Sequence, residues 1–405
     1  MELNEVCDLI IDCEHKTAPT QETGYPSIRT PNIGRGRFIL EGVNRVSEET
    51  YQLWTRRAVP QPSDLIMARE APVGNVAMIP PGLQPCLGQR TLLIRPDRSK
   101  VEPAFLNYFL NGPHVQGLIH AKTNGATVAH LNMKDVRTME LPELPPLPVQ
   151  RRIAGILSAY DELMENSQRR IRLLEAMARA LYREWFVHFR IPAEVLTKAG
   201  APPIKPVASP LGHIPQGWEV RTVKDVATVT YGFPFASKKF NTDGIGTPVI
   251  RIRDILDGSI NTFTDEEAEP KYHIKNGDIL VGMDGDFHIC IWSSGHAFQN
   301  QRVAKFESNG EIGNYHLFLA LELPIQTWNK SIVGTTVAHL GDMHIKTIQI
   351  AWPPAKILAK VREILEPMSE QIIALKRQIQ NLRRTRDLLL PRLLSGQVEL
   401  KTEAA

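Results

Sequence analysis

The sequence predicts an α+β molecule made of two repeated mixed α/β domains, each followed by a long helix. The two helices are expected to pair as an antiparallel coiled coil, giving a pseudo-twofold dumbbell. Three observations predict this. First, Gly125-Ala-Thr-Val-Ala-His-Leu131 returns as Gly334-Thr-Thr-Val-Ala-His-Leu340, six of seven residues identical. Around that anchor Gly24-Tyr-Pro-Ser-Ile-Arg29 matches Gly246-Thr-Pro-Val-Ile-Arg251, Asp64-Leu-Ile matches Asp278-Ile-Leu, and Gln89-Arg90 matches Gln301-Arg302. A long internal repeat settles architecture before any local reading does. Second, an apolar 4,3 alternation follows each globule. Third, a proline-rich stretch separates the first helix from the second globule.

Residues 1–145 form the first domain. Short apolar runs such as Asp64-Leu-Ile-Met-Ala68 and Gln89-Arg-Thr-Leu-Leu-Ile94 lie between Pro and Gly punctuation, the pattern of strands and turns. Glu102-Pro-Ala-Phe-Leu-Asn-Tyr-Phe-Leu110 reads as a helix with proline in its first turn. Pro142-Glu-Leu-Pro-Pro-Leu-Pro148 closes the globule. The second domain, 218–352, repeats the plan with Val249-Ile-Arg-Ile252, Asp278-Ile-Leu-Val281, a helix near Asn314 to Glu322 and a closing Trp352-Pro-Pro354.

The helical segments are 146–190 and 353–397. In the first the seam runs Ile153, Leu157, Tyr160, Met164, Ser167, Ile171, Leu174, Ala178, Leu181, Trp185. In the second it runs Val361, Leu365, Met368, Ile372, Leu375, Ile379, Leu382, Arg386, Leu389, Leu393. A sustained period of 3.5 is what a helix–helix seam requires, whereas a helix packed on its own globule needs only 3.6. Each rod is about 50 Å long. Pro391 predicts a kink or an early end to the second. Residues 191–217, with Pro192, Pro202, Pro203, Pro206, Pro210 and Pro215, read as a semi-extended linker, and 398–405 as a tail. The first rod carries the chain away from the first globule, so pairing the seams sends the second rod back, antiparallel.

Composition is that of an ordinary soluble globular protein, with 42% hydrophobic and 22% charged residues over 405 positions. A net charge of +3 excludes a protein that coats polyanions but permits a local basic face. Cys7, Cys13, Cys86 and Cys290 make no C-x-x-C pair, so neither a disulfide framework nor a zinc site is expected. With no signal peptide and no membrane-spanning run, the expected location is cytoplasmic.

Two related but diverged heads on a spacer suit a target with a repeating register, and B-DNA is such a target. At this point the chain resembles the specificity subunit of type I restriction-modification systems. The resemblance covers the whole length. It rests on the order of globule, helix, globule, helix and on the duplicated Gly-x-Thr-x-x-His-Leu element. It also rests on the Pro-Pro-Leu-Pro-x-Gln-Arg-x-Ile-Ala-x-Ile-Leu helix start (Pro145 to Leu157) and the lead Ile214-Pro-Gln-Gly-Trp218. It implies that each globule is a target-recognition domain reading half of a bipartite DNA site, and that the helices set the gap and dock two methyltransferase subunits. It implies no cofactor in this chain, S-adenosylmethionine in the partners, and a separate motor-nuclease subunit. Two departures stand out. The first repeat lacks the Pro-x-Gly-Trp lead, and the second helix begins Pro353-Pro-Ala-Lys356.

Within this reading, positions equal in both halves serve fold and phosphate contact, and positions that differ carry base reading. Arg29, Arg251, Arg90 and Arg302 fall in the first class, with internal salt bridges as their structural alternative. His130, His339, Thr127 and Thr336 read as turn and capping residues. The second class holds Asn32, Arg35 and Arg37 of a glycine-rich loop, then Ser237, Lys238, Lys239 and Arg253. Lys122, Asn124, Asn329 and Lys330, beside the Gly-x-Thr elements, join them. Solvated loop charge is the alternative for each.

Catalysis by the chain itself finds little support. There is no Asn/Asp-Pro-Pro-Tyr/Phe element and no phosphate-binding Gly-x-x-x-x-Gly-Lys-Ser/Thr loop. Glu269-Pro-Lys271, with Asp257 or Asp265 upstream, imitates a metal-nuclease triplet, but proline argues against the strand such a site needs. A protein-only coiled-coil adaptor would explain the rods and leave both globules idle.

Overall fold

A computed structural model of the chain describes residues 1–123, 130–201, 203–256, 258–285, 287–331, 340–398 and 400, with the side chains of 329–331 outside the description. The chain divides into two units. One is Met1–Leu163 with Leu382–Ala405; the other is Met164–Asn381.

The first unit opens with β1 (Cys7–Asp12), β2 (Tyr25–Ile28), β3 (Arg45–Val46) and α1 (Glu48–Trp54). There follow β4 (Leu65–Ala68), β5 (Val76–Met78), β6 (Cys86–Leu87) and β7 (Thr91–Pro96), then α2 (Pro103–Asn111), α3 (Pro113–Ala121), α4 (Met133–Arg137) and the start of α5 (Leu147–Tyr182). Strands β1-β7-β4-β5 form an antiparallel sheet, and β3-β2-β6 form a smaller one. Every side chain of β4 is buried, so both faces of the larger sheet are covered. Alternation assigns those faces. Leu65, Met67, Leu92 and Ile94 meet Phe105, Leu106, Phe109 and Leu110. Ile66, Ala68 and Leu93 meet Ile28, Ile33 and Leu87 of the smaller sheet and its loop.

The second unit begins with the rest of α5, which ends in a π-helical turn at Arg183–Val187. The proline-rich segment that follows is folded, contrary to the expected extended linker. It holds α6 (Ala193–Lys198) and a hairpin of β8 (Pro206–Ser209) and β9 (Gly212–Pro215). Pro192, Pro206 and Pro215 sit where no backbone donor is lost from a ladder interior: Pro192 caps α6, and Pro206 faces Pro215 at the open end of the hairpin. Buried Ile191, Leu196 and Ile214 hold it down.

Then come β10 (Glu219–Thr222), α7 (Val223–Val226), β11 (Ala227–Tyr231), β12 (Phe240–Asn241), β13 (Thr247–Ile250), β14 (Phe263–Thr264) and β15 (His273–Ile274). The series continues with β16 (Ile279–Gly282), β17 (Ile289–Ile291), β18 (Ala297–Gln299), β19 (Val303–Ser308), α8 (Asn314–Ser331), α9 (Asp342–Lys346), β20 (Gln349–Trp352) and α10 (Ala355–Leu394). The antiparallel sheet β11-β19-β16-β17 repeats β1-β7-β4-β5 strand for strand. The shared glycines are explained by close approach. A Cβ on Gly24 would lie 2.2 Å from the Val46 carbonyl, and one on Gly246 would lie 2.1 Å from that of Thr264, both at positive φ.

In the first unit, Ile153 and Leu157 of α5 are buried in one cluster with Leu393 of α10, with Leu389 packed against it, and Asp161 pairs with Arg386. The start of one helix therefore lies by the end of the other, the antiparallel sense. Tyr160 and Leu382 are half-buried there. These seam residues also belong to the globule's own core, so the stripe serves two contacts at once. In the second unit, Met164, Ile171, Val361, Leu365, Ile372, Leu375 and Ile379 are buried, while Leu174, Leu181 and Met368 are half-buried. Glu175 pairs with Lys376 at 3.5 Å. Pro391 does not end α10, which runs on to Leu394. Only one intrahelical bond is lost so near the terminus, and Leu390, Leu393 and Leu394 anchor the last turn in the core.

An aromatic cluster fixes the end of α5 in the second unit. Phe186 stacks on Tyr182 at 5.0 Å and lies 5.6 Å from Trp218 and 4.4 Å from His316 of α8. Burial lowers the His316 pKa from 6.5 to about 3. The folded state thus refuses a proton that the unfolded state accepts. The contribution is intact above pH 6.5 and is lost as pH falls below it, by up to about 1.4 kcal/mol per pH unit. His316→Phe, which keeps a ring against Phe186, should flatten this slope. Denaturant unfolding at pH 6.5 and pH 5 should show wild type losing about 1–2 kcal/mol more than the variant. Equal losses would remove His316 from the account.

Candidate nucleic-acid interface

In each globule two arginines leave the carboxyl ends of a pair of parallel strands. In the first, Ser27 and Ile28 of β2 lie beside Cys86 and Leu87 of β6. Arg29 follows β2 directly, and Arg90 lies in the turn from β6 into β7. In the second, Val249 and Ile250 of β13 lie beside Phe298 and Gln299 of β18, Arg251 follows β13, and Arg302 precedes β19. One backbone bond locks both frames: Gly88 N–H donates to the Ile28 carbonyl at 2.8 Å, and Asn300 N–H to that of Ile250 at 3.1 Å. Parallel strands point their ends the same way, so pairing itself delivers both loops to one edge.

Each strand-end arginine opens a 3₁₀ turn, Thr30–Asn32 or Ile252–Asp254. The Arg29 N–H donates to Asn32 Oδ1 at 3.1 Å, and the Arg251 N–H to Asp254 Oδ2 at 2.9 Å. Asn32 Nδ2 also donates to the Ile39 carbonyl at 3.2 Å. Both ends of the Asn32 amide thus fold the loop. The guanidinium groups of Arg29 and Arg251 have no partner among the described residues, so the salt-bridge alternative does not describe them.

It does describe the other pair. Arg90 Nη1 lies 2.7 Å from Glu70 Oε2, and Arg302 Nε lies 3.3 Å from Asp284 Oδ2. Behind Arg90 runs a polar chain. His130 lies 3.1 Å from Glu70 through Nδ1 and 3.0 Å from Arg69 through Nε2. Arg69, only 6% exposed, donates to both oxygens of Asp12 at 2.7 Å and to the Leu131 carbonyl at 2.9 Å. Leu131 N–H returns a bond to the Arg69 carbonyl, as Leu340 N–H does to Met283. The repeated leucine therefore docks on the residue just past β4 or β16, directly before the carboxylate, and His130 orients Glu70 rather than capping a turn.

The remaining candidates separate by what holds them. The side chains of Arg35, Lys122 and Lys238 have no partner among the described residues, and Ser237 and Lys238 are exposed. Arg37 is half-buried and 3.3 Å from Asp161, which also accepts from Tyr108 and Arg386. Lys239 lies 3.3 Å from Glu266, and exposed Arg253 lies 3.7 Å from Asp254. Asn124, Thr127, Thr336 and His339 lie outside the described residues, as do the side chains of Asn329 and Lys330. Sequence reasoning missed Asp12, Arg69, Glu70 and Asp284. Arg69 has Met283 as its counterpart, so the repeat hid it, whereas an acid directly after each Arg69/Met283 position was a readable signal. Glu269 and Lys271 pair with each other in an exposed 3₁₀ turn, at 2.9 Å; Asp257 lies outside the described residues.

Residues 1–176 and 215–383 each match the family described as the type I restriction modification DNA specificity domain. The chain belongs to this family. It is 24% identical over 388 residues to the type I restriction enzyme MjaIX specificity subunit of Methanocaldococcus jannaschii, covering 90% of this chain and 84% of that protein. It is 32% identical over 190 residues to the EcoBI specificity subunit of Escherichia coli, covering 46% of this chain and 40% of that protein. A solved structure, the type I restriction-modification system S subunit from M. genitalium, superposes with a TM-score of 0.64 at 16% identity, covering 99% of this chain and 96% of that one. At that identity the likeness establishes the fold.

The specificity-domain family thus supplies the frame, and the buried Arg69 is a feature of this chain's first copy. Arg69→Ala should destabilise the first globule by about 3 kcal/mol, because it removes the guanidinium that holds Asp12, the Leu131 carbonyl and His130 Nε2. Arg69→Met combined with Asp12→Ala, which imports the second copy's apolar residue and removes the carboxylate that Arg69 held, should recover most of that loss. Denaturant midpoints of the two variants decide it; equal losses would mean the ion pair is not what the site needs.

Proposed function

We propose that this chain is the DNA-recognition subunit of a type I restriction-modification complex, itself non-catalytic. Each globule reads one half of a bipartite site. Helices α5 and α10 set the gap and dock two methyltransferase subunits, which bring S-adenosylmethionine. A motor-nuclease subunit completes the complex where restriction accompanies modification. One observation supports this most directly: the same arginine-bearing strand-end frame is built twice, with equal arginines and different neighbours. The guanidinium groups of Arg29 and Arg251, without a partner among the described residues and set on a repeated backbone frame, suit a polyanion whose backbone is constant and whose bases vary. A protein-only adaptor gives those groups no role.

Exchanging residues 1–145 for the corresponding part of a relative should change one half-site of the methylation pattern and leave the other half and the gap unchanged. Methylation sequencing of DNA modified by the hybrid complex reads this. Both halves changing together would defeat modular reading.

The gap has its own test. Seven residues inserted after Glu175 and after its repeat partner Arg383 add two near-complete turns to each rod, about 10 Å or three base pairs of B-DNA. The preferred gap should lengthen by about that much with both half-sites kept. The measurement is methylation of duplexes whose gap varies one base pair at a time. Full activity at the original gap would refute the helices as spacers.

A further inference from the structure

An open cavity of about 530 Å³ in the second globule gathers Arg251, Arg253, Arg302, His288 and Asn300 around the ends of β13 and β18. We propose that it reads one guanine of the second half-site, with Arg251 and Arg302 holding a backbone phosphate and Arg253 donating to guanine N7 and O6. The assignment rests on the DNA-recognition reading above and specifies its chemistry.

Strand registers identify each wall residue's counterpart in the first globule. Ile28 pairs with Leu87 as Ile250 pairs with Gln299, so Gly88 corresponds to Asn300, and Pro31 to Arg253. Met67 faces Val76 as Val281 faces Ile289, so Asn75 corresponds to His288. Arg251 and Arg302 have arginine counterparts, as phosphate contacts common to both halves require. Arg253, His288 and Asn300 replace Pro31, Asn75 and Gly88. Pro31 has no side-chain donor, Gly88 has no side chain, and Asn75 Nδ2 is turned onto the Ile33 carbonyl at 3.0 Å. The residues that differ between halves therefore converge on one cavity.

The chemistry of that cavity is donor-rich. Three guanidinium groups supply N–H donors and no acceptors. Asn300 Oδ1 accepts from the Gln301 N–H at 2.8 Å, which leaves its amide nitrogen as the free end. A bidentate contact to adenine needs both ends of such an amide; a guanidinium fork against N7 and O6 of guanine needs none of it. Arg253 keeps that fork available, since its contact to Asp254 is made through Nε at 3.7 Å and its side chain is 64% exposed. Arg302 likewise meets Asp284 through Nε.

The test uses the full-length chain with its methyltransferase subunits, selecting from duplexes randomised across both half-sites. Wild type should recover a bipartite motif with a guanine in the second half. Arg253→Ala should lose preference at that position by tenfold or more and keep the first half-site intact. Replacing that guanine by 7-deazaguanine should weaken wild type tenfold and leave Arg253→Ala unaffected. Arg253→Lys, which retains charge and stem but not the fork, should fall between the two and report that the fold is kept. Arg251→Ala and Arg302→Ala should weaken binding to all sequences alike, each lowering the salt slope by about one. A wild-type motif retained by Arg253→Ala would overturn the base assignment, and an unchanged salt slope would overturn the phosphate assignment. Wild type recovering no bipartite motif would instead refute the recognition reading on which both rest.

Discussion

The parallel pairing of two strands far apart in sequence is the constraint on which the rest depends. β2 and β6 are only four and two residues long, and β13 and β18 four and three, and each pair lies inside a sheet separate from the four-stranded one, β3-β2-β6 in the first unit and β12-β14-β13-β18-β15 in the second. Without that pairing, Arg29 and Arg90 would belong to unrelated loops. Such short strands have little stability alone, so they borrow it from burial. Ile28 shares a core with Ile66 and Leu93, and Ile250 shares one with Leu280 and Trp292. The central strands β4 and β16, buried along their whole length, give each short parallel pair the packing it lacks by itself.

Each globule is also fastened to the long helices, by different means. In the first unit Gln150 of α5 accepts from the Glu102 N–H at the start of α2 and donates to the Pro145 carbonyl. Asp161 gathers Arg37, Tyr108 and Arg386 around one carboxylate. Burial beside that carboxylate pushes the Tyr108 phenol up. In the second unit Glu366 of α10 packs against Gly313, where a Cβ would lie 1.5 Å from its carboxylate oxygen, and burial raises its pKa. Arg179 of α5 grips Glu322 of α8 through Nε at 3.0 Å to each oxygen. The plan is repeated while the fastenings are not, as expected where packing needs only some satisfied polar contact at each joint.

The repeat, the strand runs Asp64-Leu-Ile and Asp278-Ile-Leu and both long helices were legible because periodicity and duplication are properties of the sequence itself. The folded segment after α5 was not, because proline density signals both an open chain and an edge hairpin, and only the burial of Ile191, Leu196 and Ile214 decides between them. Pro391 misled in the same way, since helix rules are local and the anchoring of Leu393 is not. At the candidate interface, duplication singled out Arg29, Arg90, Arg251 and Arg302 as common to both halves, but it could not tell which of them rest on Glu70 or Asp284. Nor could it find Asn300 and His288, which become visible as differences only once strand registers align the two halves.

The first unit contains both ends of the described chain, and this has a consequence for its biosynthesis. Leu3 and Leu393 are buried in one core, with Leu389, Leu390 and Leu394 packed against it. A ribosome that has finished Leu163 must still add everything up to Leu382 before that core has its last wall, a delay on the order of ten to forty seconds. The second unit is uninterrupted in sequence and has all its residues earlier than the first. The first globule to be made is therefore the last to be complete, and during that interval the apolar face that awaits α10 is open to whatever else the cell offers it.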